Sequence, residues 1–435
     1  MEYMNFQEQI KQVKLAAPKM AANAEENRNK ALLAVSEALL AHQDEIFAAN
    51  KADMEQAEKD GVSGPVLKRL KFDETKLRDV TAGIKDLVNL SDPLFKTQFV
   101  KELDEGLTLE KVTCPIGVIG VIFEARPDAL IQISALCIKS GNCVILKGGS
   151  EALKTNKTLF GIIYQAVLEA GLPEHCMMQL EARSEINELL ECHESVDLLI
   201  PRGSNAFVQY IMNNTKIPVM GHADGICHIY VDKDADLDKA VPIIFDAKTQ
   251  YVSACNTVET LLVHKDVVQD LMPRLKKALD EKPVEIRGTQ EISDIIECEK
   301  ATEEDDSTEY LDYILSVKTV SDVQEAIDHI NYYGSHHTDC IVTENANTAD
   351  AFMSLVDSAG VYQNCSTRFA DGYRYGFGAE VGISTSKLHA RGPVGLEGLV
   401  SYKYKLVGHG HIVDDYATGK KQFHFKEIKK GINYE

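Results

Sequence analysis

Apolar positions along this chain change period more than once, and each change marks a different kind of element. From Lys30 to Asn50, "KALLAVSEALLAHQDEIFAAN" returns to apolar residues at helical spacing through Leu32, Leu33, Leu39, Leu40, Ile46 and Phe47. Residues 23–60 are therefore predicted as long amphipathic helices that pack a core. A further helix is expected from Pro65 past Lys76 towards Leu90, ended by Ser91-Asp92-Pro93. "LTLEKVTCPIGVIGVIFE" then alternates through Leu107, Leu109 and Lys111 before running continuously apolar. The first half predicts a half-buried strand, the second a strand buried on both faces, as in a parallel sheet. "DALIQISALCIKSG" predicts a helix closed by Gly141 and "NCVILKGG" the next buried strand, which together make a βαβ unit. "NKTLFGIIYQAVLEAGLP" adds a helix stopped at Gly171, and "SVDLLIPRGS" a strand running into a turn.

The same alternation resumes near Gly225. "ICHIYVD", "TVETLLVH", "DYILSVKTV" and "TDCIVTEN" read as strands; "LDKAVPIIFDAKTQY", "VVQDLMPRLKKALDEK" and "VSDVQEAIDHINYYG" read as the helices between them. The succession predicts an α/β fold with mostly parallel sheets, in two segments with no Pro/Ser-rich linker between them. The acidic run "ATEEDDSTE" (301–309) reads as a solvated loop. The tail "VSYKYKLVGHGHIVDDY" alternates like an extended strand, and the same chain or a neighbouring subunit must supply its partner.

Composition narrows the function. A chain of 435 residues exceeds one small core, so two or three domains are expected. With 46 basic and 67 acidic residues the net charge is −21, which argues against nucleic acid or an anionic membrane as the main partner. A small anion can still be held by a few placed Arg, Lys and backbone N–H groups. The longest uncharged apolar run, Cys114–Phe123, falls well short of the ~20 residues that span a bilayer. No secretory h-region is visible near the N-terminus, so a cytoplasmic setting is expected. None of the 10 cysteines forms a CxxC pair, which removes thioredoxin-like and zinc-ribbon readings and implies free thiols.

Three stretches carry candidate chemistry. In "VILKGGS", Lys147 ends a buried strand and is followed by Gly148, Gly149 and Ser150. Ligands of open α/β sheets bind beyond such strand ends, and glycines let backbone N–H groups approach a phosphate. In "PRGSNAF", Gly203 and Ser204 lie at a helix N-terminus, a setting that favours anions. In "QYVSACNTVETLLVH", Cys255 sits among small residues on a turn at the mouth of a strand. A substrate carbonyl could reach it there, with the Cys255 N–H facing the adduct oxygen as half of an oxyanion hole. On these residues alone a buried structural cysteine explains the turn equally well. Metal sites are not expected: in "SHHTDC" the adjacent His336 and His337 point to different sides of a strand, and no HExxH, EF-hand or paired CxxC occurs.

Taken in order, "CPIGVIGVIFEARPDALIQISALCIKSGNCVILKGGSEA", "VDLLIPRGS", "CNTVETLLVH", "TEYLDYILSVK", "NCSTRFADG" and "RGPVGLEGLVSYKY" resemble the gamma-glutamyl phosphate reductase branch of the aldehyde dehydrogenase superfamily along nearly the whole chain. The resemblance implies an aldehyde dehydrogenase-like α/β fold of two parallel-sheet domains plus a small β oligomerisation arm. Its parts would be an NADP-binding domain (1–96 and 116–224), a catalytic domain (225–400) and the arm (97–115 and 401–435). It implies NADPH-dependent reduction of L-glutamyl 5-phosphate to L-glutamate 5-semialdehyde and phosphate, through a thioester on Cys255, in proline biosynthesis. Lys147, Gly149, Ser150, Gly203, Ser204 and Glu309 would hold the cofactor. Ser150 stands where many NAD-using relatives place a carboxylate, which favours the 2′-phosphate of NADPH, although Glu151 follows directly. Arg126, Asn364 and Arg368 would grip the substrate, with Arg202 and Arg391 in reserve. Ala125 replaces the oxyanion-hole Asn of ordinary aldehyde dehydrogenases. "TKIPVMGHADGICHIYV" lacks their water-activating Glu, with His222 and Asp224 nearby instead. A homo-oligomer and contact with glutamate 5-kinase are further implications. An acylating dehydrogenase using coenzyme A would share the cysteine and the fold, and a non-catalytic scaffold would share the fold alone.

Overall fold

The computed structural model describes residues 5–124, 126–222 and 224–428. Helices Phe6–Ala21, Glu25–Ala41, Gln43–Lys59, Gly64–Leu70 and Glu74–Asn89 come first. The start of Phe6–Ala21 is fixed by a capping box: Asn5 accepts from the Glu8 N–H at 2.9 Å, and Glu8 accepts from the Asn5 N–H at 3.0 Å. The single helix expected from Pro65 to Leu90 is instead two. Asp73 takes the Lys76 N–H at 3.1 Å and restarts the chain as an N-cap, while the buried Phe72 donates its N–H to Asn50 Oδ1 at 2.8 Å.

One unit comprises the chain up to Gly203, Ile211–Val219 and the residues from Gly395 onward. Its parallel sheet runs in the order Met177–Leu180, Cys143–Gly148, Val118–Phe123, Leu198–Arg202. Every residue of the two middle strands is buried, as their unbroken apolar runs predict. The chain steps outward from Val118–Phe123 and then returns to its other side, so the topological switch lies between Val118–Phe123 and Leu198–Arg202. Gly141 (φ +67°) and Gly171 (φ +94°) adopt the left-handed conformation that ends the preceding helices.

The same unit carries an antiparallel sheet in the order Val400–Val407, Leu107–Pro115, Thr97–Asp104, Lys426–Glu427. The partner sought for the tail is thus its own chain: Val400 faces Pro115 and Val407 faces Thr108. The extended pattern expected to continue to Tyr416 stops at Val407. A turn with Gly410 at φ +82° leads into the short helix Val413–Ala417.

The other unit comprises Ser204–Tyr210 and Met220–Val394. Its seven-stranded sheet has the order Glu299–Lys300, Glu285–Gly288, Ile314–Val320, Val258–His264, Cys227–Val231, Thr338–Val342, Gly360–Gln363, with all neighbours parallel. Successive residues feed opposite faces. Leu261 packs with Ile244, Leu271 and Leu275, whereas Leu262 packs with Tyr230, Ile327 and Phe352. No helix among the described residues is long and apolar enough to cross a membrane.

Candidate active site

In the first unit, Lys147 lies at the carboxyl end of Cys143–Gly148 and is buried. Its Nζ donates to the Gly148 carbonyl at 2.6 Å. Burial draws the Lys147 pKa down, against the pull of Glu185 and Glu151. Gly148 is enclosed: a Cβ there would lie 2.2 Å from Asn156 Nδ2. The Glu151 carboxylate folds back over Gly149, 2.1 Å from where a Cβ would stand, while Ser150 is exposed at the start of a 3-10 turn. Glu124, beyond the neighbouring strand, is pushed up by burial and by Glu151. Arg183 acts electrostatically on both Glu124 and Lys147. Sequence reasoning did not single out Arg183, because it lies on a separate loop after Met177–Leu180. Gly203 and Ser204 are exposed between Leu198–Arg202 and the helix Asn205–Asn213. Arg126 is exposed at the N-cap of the helix Pro127–Lys139. Ala125 lies outside the described residues.

In the second unit, Cys255 sits half-buried in the turn before Val258–His264. The backbone there is pinned. Thr257 Oγ1 donates to the Tyr251 carbonyl at 2.7 Å, Asn256 Nδ2 donates to the Ala370 carbonyl at 2.8 Å, and the Cys227 thiol donates to the Cys255 carbonyl at 3.2 Å. Gly225 presses against the same residue: a Cβ on it would lie 2.2 Å from the Cys255 carbonyl oxygen and 2.6 Å from its Cα. Only glycine allows that approach. Burial pushes the thiols of Cys137, Cys176 and Cys340 up to about 12 and raises Cys227 further, which suits the inert core role expected of most of the cysteines.

Glu309 joins this site through Gly225 and Asn205. It accepts from the Gly225 N–H and from Asn205 Nδ2 at 2.7 Å, and Asn205 donates equally to Asp224 Oδ1 at 2.7 Å. Burial raises the Glu309 pKa, and these donors oppose the rise. The acidic run before Glu309 is not the solvated loop expected. Asp305 and Asp306 are buried, because Thr302 and Asp305 form a capping box, Arg287 and Tyr310 donate to Asp305, and Lys318 pairs with Asp306 at 2.8 Å. Glu259 completes the support. Fully buried on the strand after Cys255, it accepts from Lys248 Nζ at 2.6 Å and from the Leu311 N–H at 3.2 Å, and burial raises its pKa to about 7.

Arg368 and Asn364 part company. Arg368 is buried, with Nε donating to Gln250 Oε1 at 3.0 Å and its guanidinium 5.9 Å from the Tyr251 ring centroid. It couples electrostatically to Cys255, and burial draws its own pKa down. Asn364 instead follows Gly360–Gln363, at the carboxyl edge of the sheet, whereas Cys255 precedes its strand at the amino edge. Its amide is committed to Thr343, accepting from the N–H at 3.0 Å and donating to the carbonyl at 3.0 Å, with a further bond to Glu344. The expectation that Asn364 grips substrate beside Cys255 is therefore corrected: it clamps a turn. Arg391 pairs with Asp357. His336 and His337 diverge as expected, His336 binding the Asp357 carbonyl at 2.7 Å. Yet His337 meets His222 edge-on, their ring centroids 4.9 Å apart, in a grouping that no short motif announces.

Residues 2–295 match the model of the aldehyde dehydrogenase family. A gamma-glutamyl phosphate reductase from Acetivibrio thermocellus is 58% identical over 427 residues, covering 98% of this chain and 99% of that protein. One from Ruminiclostridium cellulolyticum is 58% identical, covering 96% of this chain and 97% of its own. The crystal structure of gamma-glutamyl phosphate reductase from Thermotoga maritima matches with a TM-score of 0.91 at 38% identity, over 93% of this chain and 99% of that one.

Proposed function

The chain belongs to the gamma-glutamyl phosphate reductase family of aldehyde dehydrogenases, and on that premise we propose that it performs the NADPH-dependent reduction of L-glutamyl 5-phosphate to L-glutamate 5-semialdehyde in proline biosynthesis. The observation that carries the chemistry is Gly225, which packs against the backbone of half-buried Cys255 and gives its N–H to Glu309, a carboxylate also held by Asn205. Cys255 attacks the acyl carbon and phosphate leaves, giving a thioester on Sγ. Bound NADPH supplies the hydride that reduces this thioester. The aldehyde departs as the Cys255 sulfur is expelled and returns to its starting state. The Cys255 N–H faces the developing oxyanion. Buried Arg368, which couples electrostatically to Cys255, favours an anionic substrate there.

The surroundings of Lys147 suit the cofactor. Exposed Ser150 offers a hydroxyl at the strand end, and Lys147 and Arg183 would supply positive charge for the 2′-phosphate. Glu151 opposes that charge, so discrimination against NADH rests on Ser150 and Arg183. Gly203 and Ser204 would lie under the pyrophosphate, and Glu309 would orient the nicotinamide ribose. The segment leading into Cys227–Val231 contains no Glu, the residue that activates water in ordinary aldehyde dehydrogenases, and Asp224 there is tied to Asn205. That favours phosphate exchange over thioester hydrolysis. We further propose a cytoplasmic enzyme in which the antiparallel sheet is an oligomerisation arm, since its outer strand exposes Tyr402, Tyr404, Leu406 and Val407.

The test is NADP⁺ reduction with pyrroline-5-carboxylate, which equilibrates with the semialdehyde, with and without inorganic phosphate. Phosphate-dependent turnover that disappears in Cys255→Ala is expected. Turnover supported by coenzyme A in place of phosphate would overturn the reading.

A further inference from the structure

Three loops converge at the amino edge of the seven-stranded sheet. Cys227–Val231 lies between Val258–His264 and Thr338–Val342, all parallel, so the segments that lead into these strands meet. They bring His222, Cys255 and His337 together, each offering one ligand atom, with the three atoms within 4.8 Å of one another. The hydrogen bonds of the two rings determine what they can do. His222 Nδ1 lies 2.8 Å from the Ile383 carbonyl oxygen. A carbonyl only accepts, so the proton is on Nδ1 and the lone pair on Nε2. His337 Nδ1 lies 2.9 Å from Thr338 Oγ1. Its Nε2 is buried without a hydrogen-bond partner among the described residues, in a side chain that is 0% exposed. A buried imidazole nitrogen left unsatisfied is a standing cost, and a ligand on that nitrogen removes it. An Nδ1 held by an oxygen with Nε2 left for a ligand is also the arrangement by which metal-binding histidines are oriented.

We propose that His222, Cys255 and His337 form a binding site for Zn²⁺ that switches the enzyme off. Two imidazoles and a thiolate make a three-ligand set for a tetrahedral ion, with the fourth position left to water. Thiolate and imidazole favour Zn²⁺ over the hard ions Mg²⁺ and Ca²⁺. On binding, the Cys255 S–H proton passes to solvent, a sulfur–zinc bond forms, and no atom changes oxidation state. The metal occupies the sulfur that would otherwise attack substrate, so binding and turnover exclude each other and a chelator restores activity. Only the inhibitory part rests on Cys255 being the nucleophile.

The full-length chain is titrated with Zn²⁺ against a chromophoric chelator, and separately with Co²⁺ while its absorption is followed. One ion per chain is expected, with tetrahedral cobalt bands, a thiolate-to-cobalt charge-transfer band, and protection of Cys255 from alkylation. His222→Gln and His337→Gln should each weaken Zn²⁺ binding by more than ~10-fold. Should buried His337→Gln fail to fold, half-buried His222→Gln carries the test alone. A cobalt spectrum with no thiolate band, or Zn²⁺ affinity unchanged by His222→Gln, overturns the proposal. Zinc binding through Cys255 in a chain with no reductase activity sinks the functional reading and leaves the metal site standing. Cys255-dependent turnover unaffected by saturating Zn²⁺ does the reverse.

Discussion

The Lys147 region and the Cys255 region use opposite ends of the same kind of sheet. Lys147 lies at, and Gly149 and Gly203 beyond, the carboxyl ends of parallel strands, where the following helices begin and their N–H groups favour anions. Cys255, Gly225 and His337 precede their strands, at the edge where helices such as Leu237–Thr249 end. Helix C-termini carry partial negative charge. The cation at this edge is buried Arg368, bonded to Gln250 and coupled electrostatically to Cys255. One region is therefore built on backbone, the other on side chains and close packing.

Removing the proposed nucleophile tests this contrast most severely. Cys255→Ala should lower kcat by about 10⁴-fold or more while leaving cofactor binding intact, as read by NADPH fluorescence titration. Gly225→Ala strikes at packing rather than chemistry. Its Cβ must displace the Cys255 backbone, and a misplacement of that order costs about 10²-fold in kcat, with Cys255 alkylation slowed in parallel. If turnover survives, close packing is not what positions the thiol. On the other side, Arg183→Ala should raise the KM for NADPH by about 10-fold and leave that for NADH almost unchanged, since one lost charge-assisted contact is worth about 1.4 kcal/mol. Comparing Arg368→Ala with Asn364→Ala separates grip from scaffold. The first should raise the KM for pyrroline-5-carboxylate several-fold; the second should leave it alone and lower Tm.

The smallest expected effect is on stability. Burial disfavours charge on Asp305, but donors from Tyr310, Thr302 and Arg287 outweigh it and hold the carboxyl at about 2. A folded-state value below the ordinary 3.8 gives stability that is complete above about pH 4 and lost as pH falls towards 2. Asp305→Asn should remove that acid-sensitive stability, seen as a flatter Tm profile as pH falls from 3.8 towards about 2.

What could be read beforehand follows the same divide. Strands buried on both faces were legible because their apolar runs are unbroken, and the place of Lys147 at the end of one of them was legible because strand and glycine turn are written in consecutive residues. The amino-edge site was only half visible. Cys255 stood out by its small neighbours, but Gly225, Asn205 and His337 act through partners 30 to 115 positions away, and no local period encodes such pairings. Glu259 was hidden inside "TVETLLVH" because its partner, Lys248, is on the preceding helix and only the fold closes the pair. The acidic run misled for the same reason: Arg287 and Lys318, which neutralise it, lie on two other strands. Asn364 was misassigned because its motif is real but its side chain faces the other edge of the sheet.

The pairing of Val400–Val407 with Thr108–Pro115 has a consequence for how the molecule is made. Val400 and its partner Pro115 are 285 positions apart in a chain of 435, so Leu107–Pro115 waits with one edge bare until nearly all of the polypeptide has left the ribosome. Such late, non-local closure slows folding and leaves a template for wrong partners. A nascent chain stalled before residue 400 would have finished its parallel sheets and still be open to aggregation along that one edge.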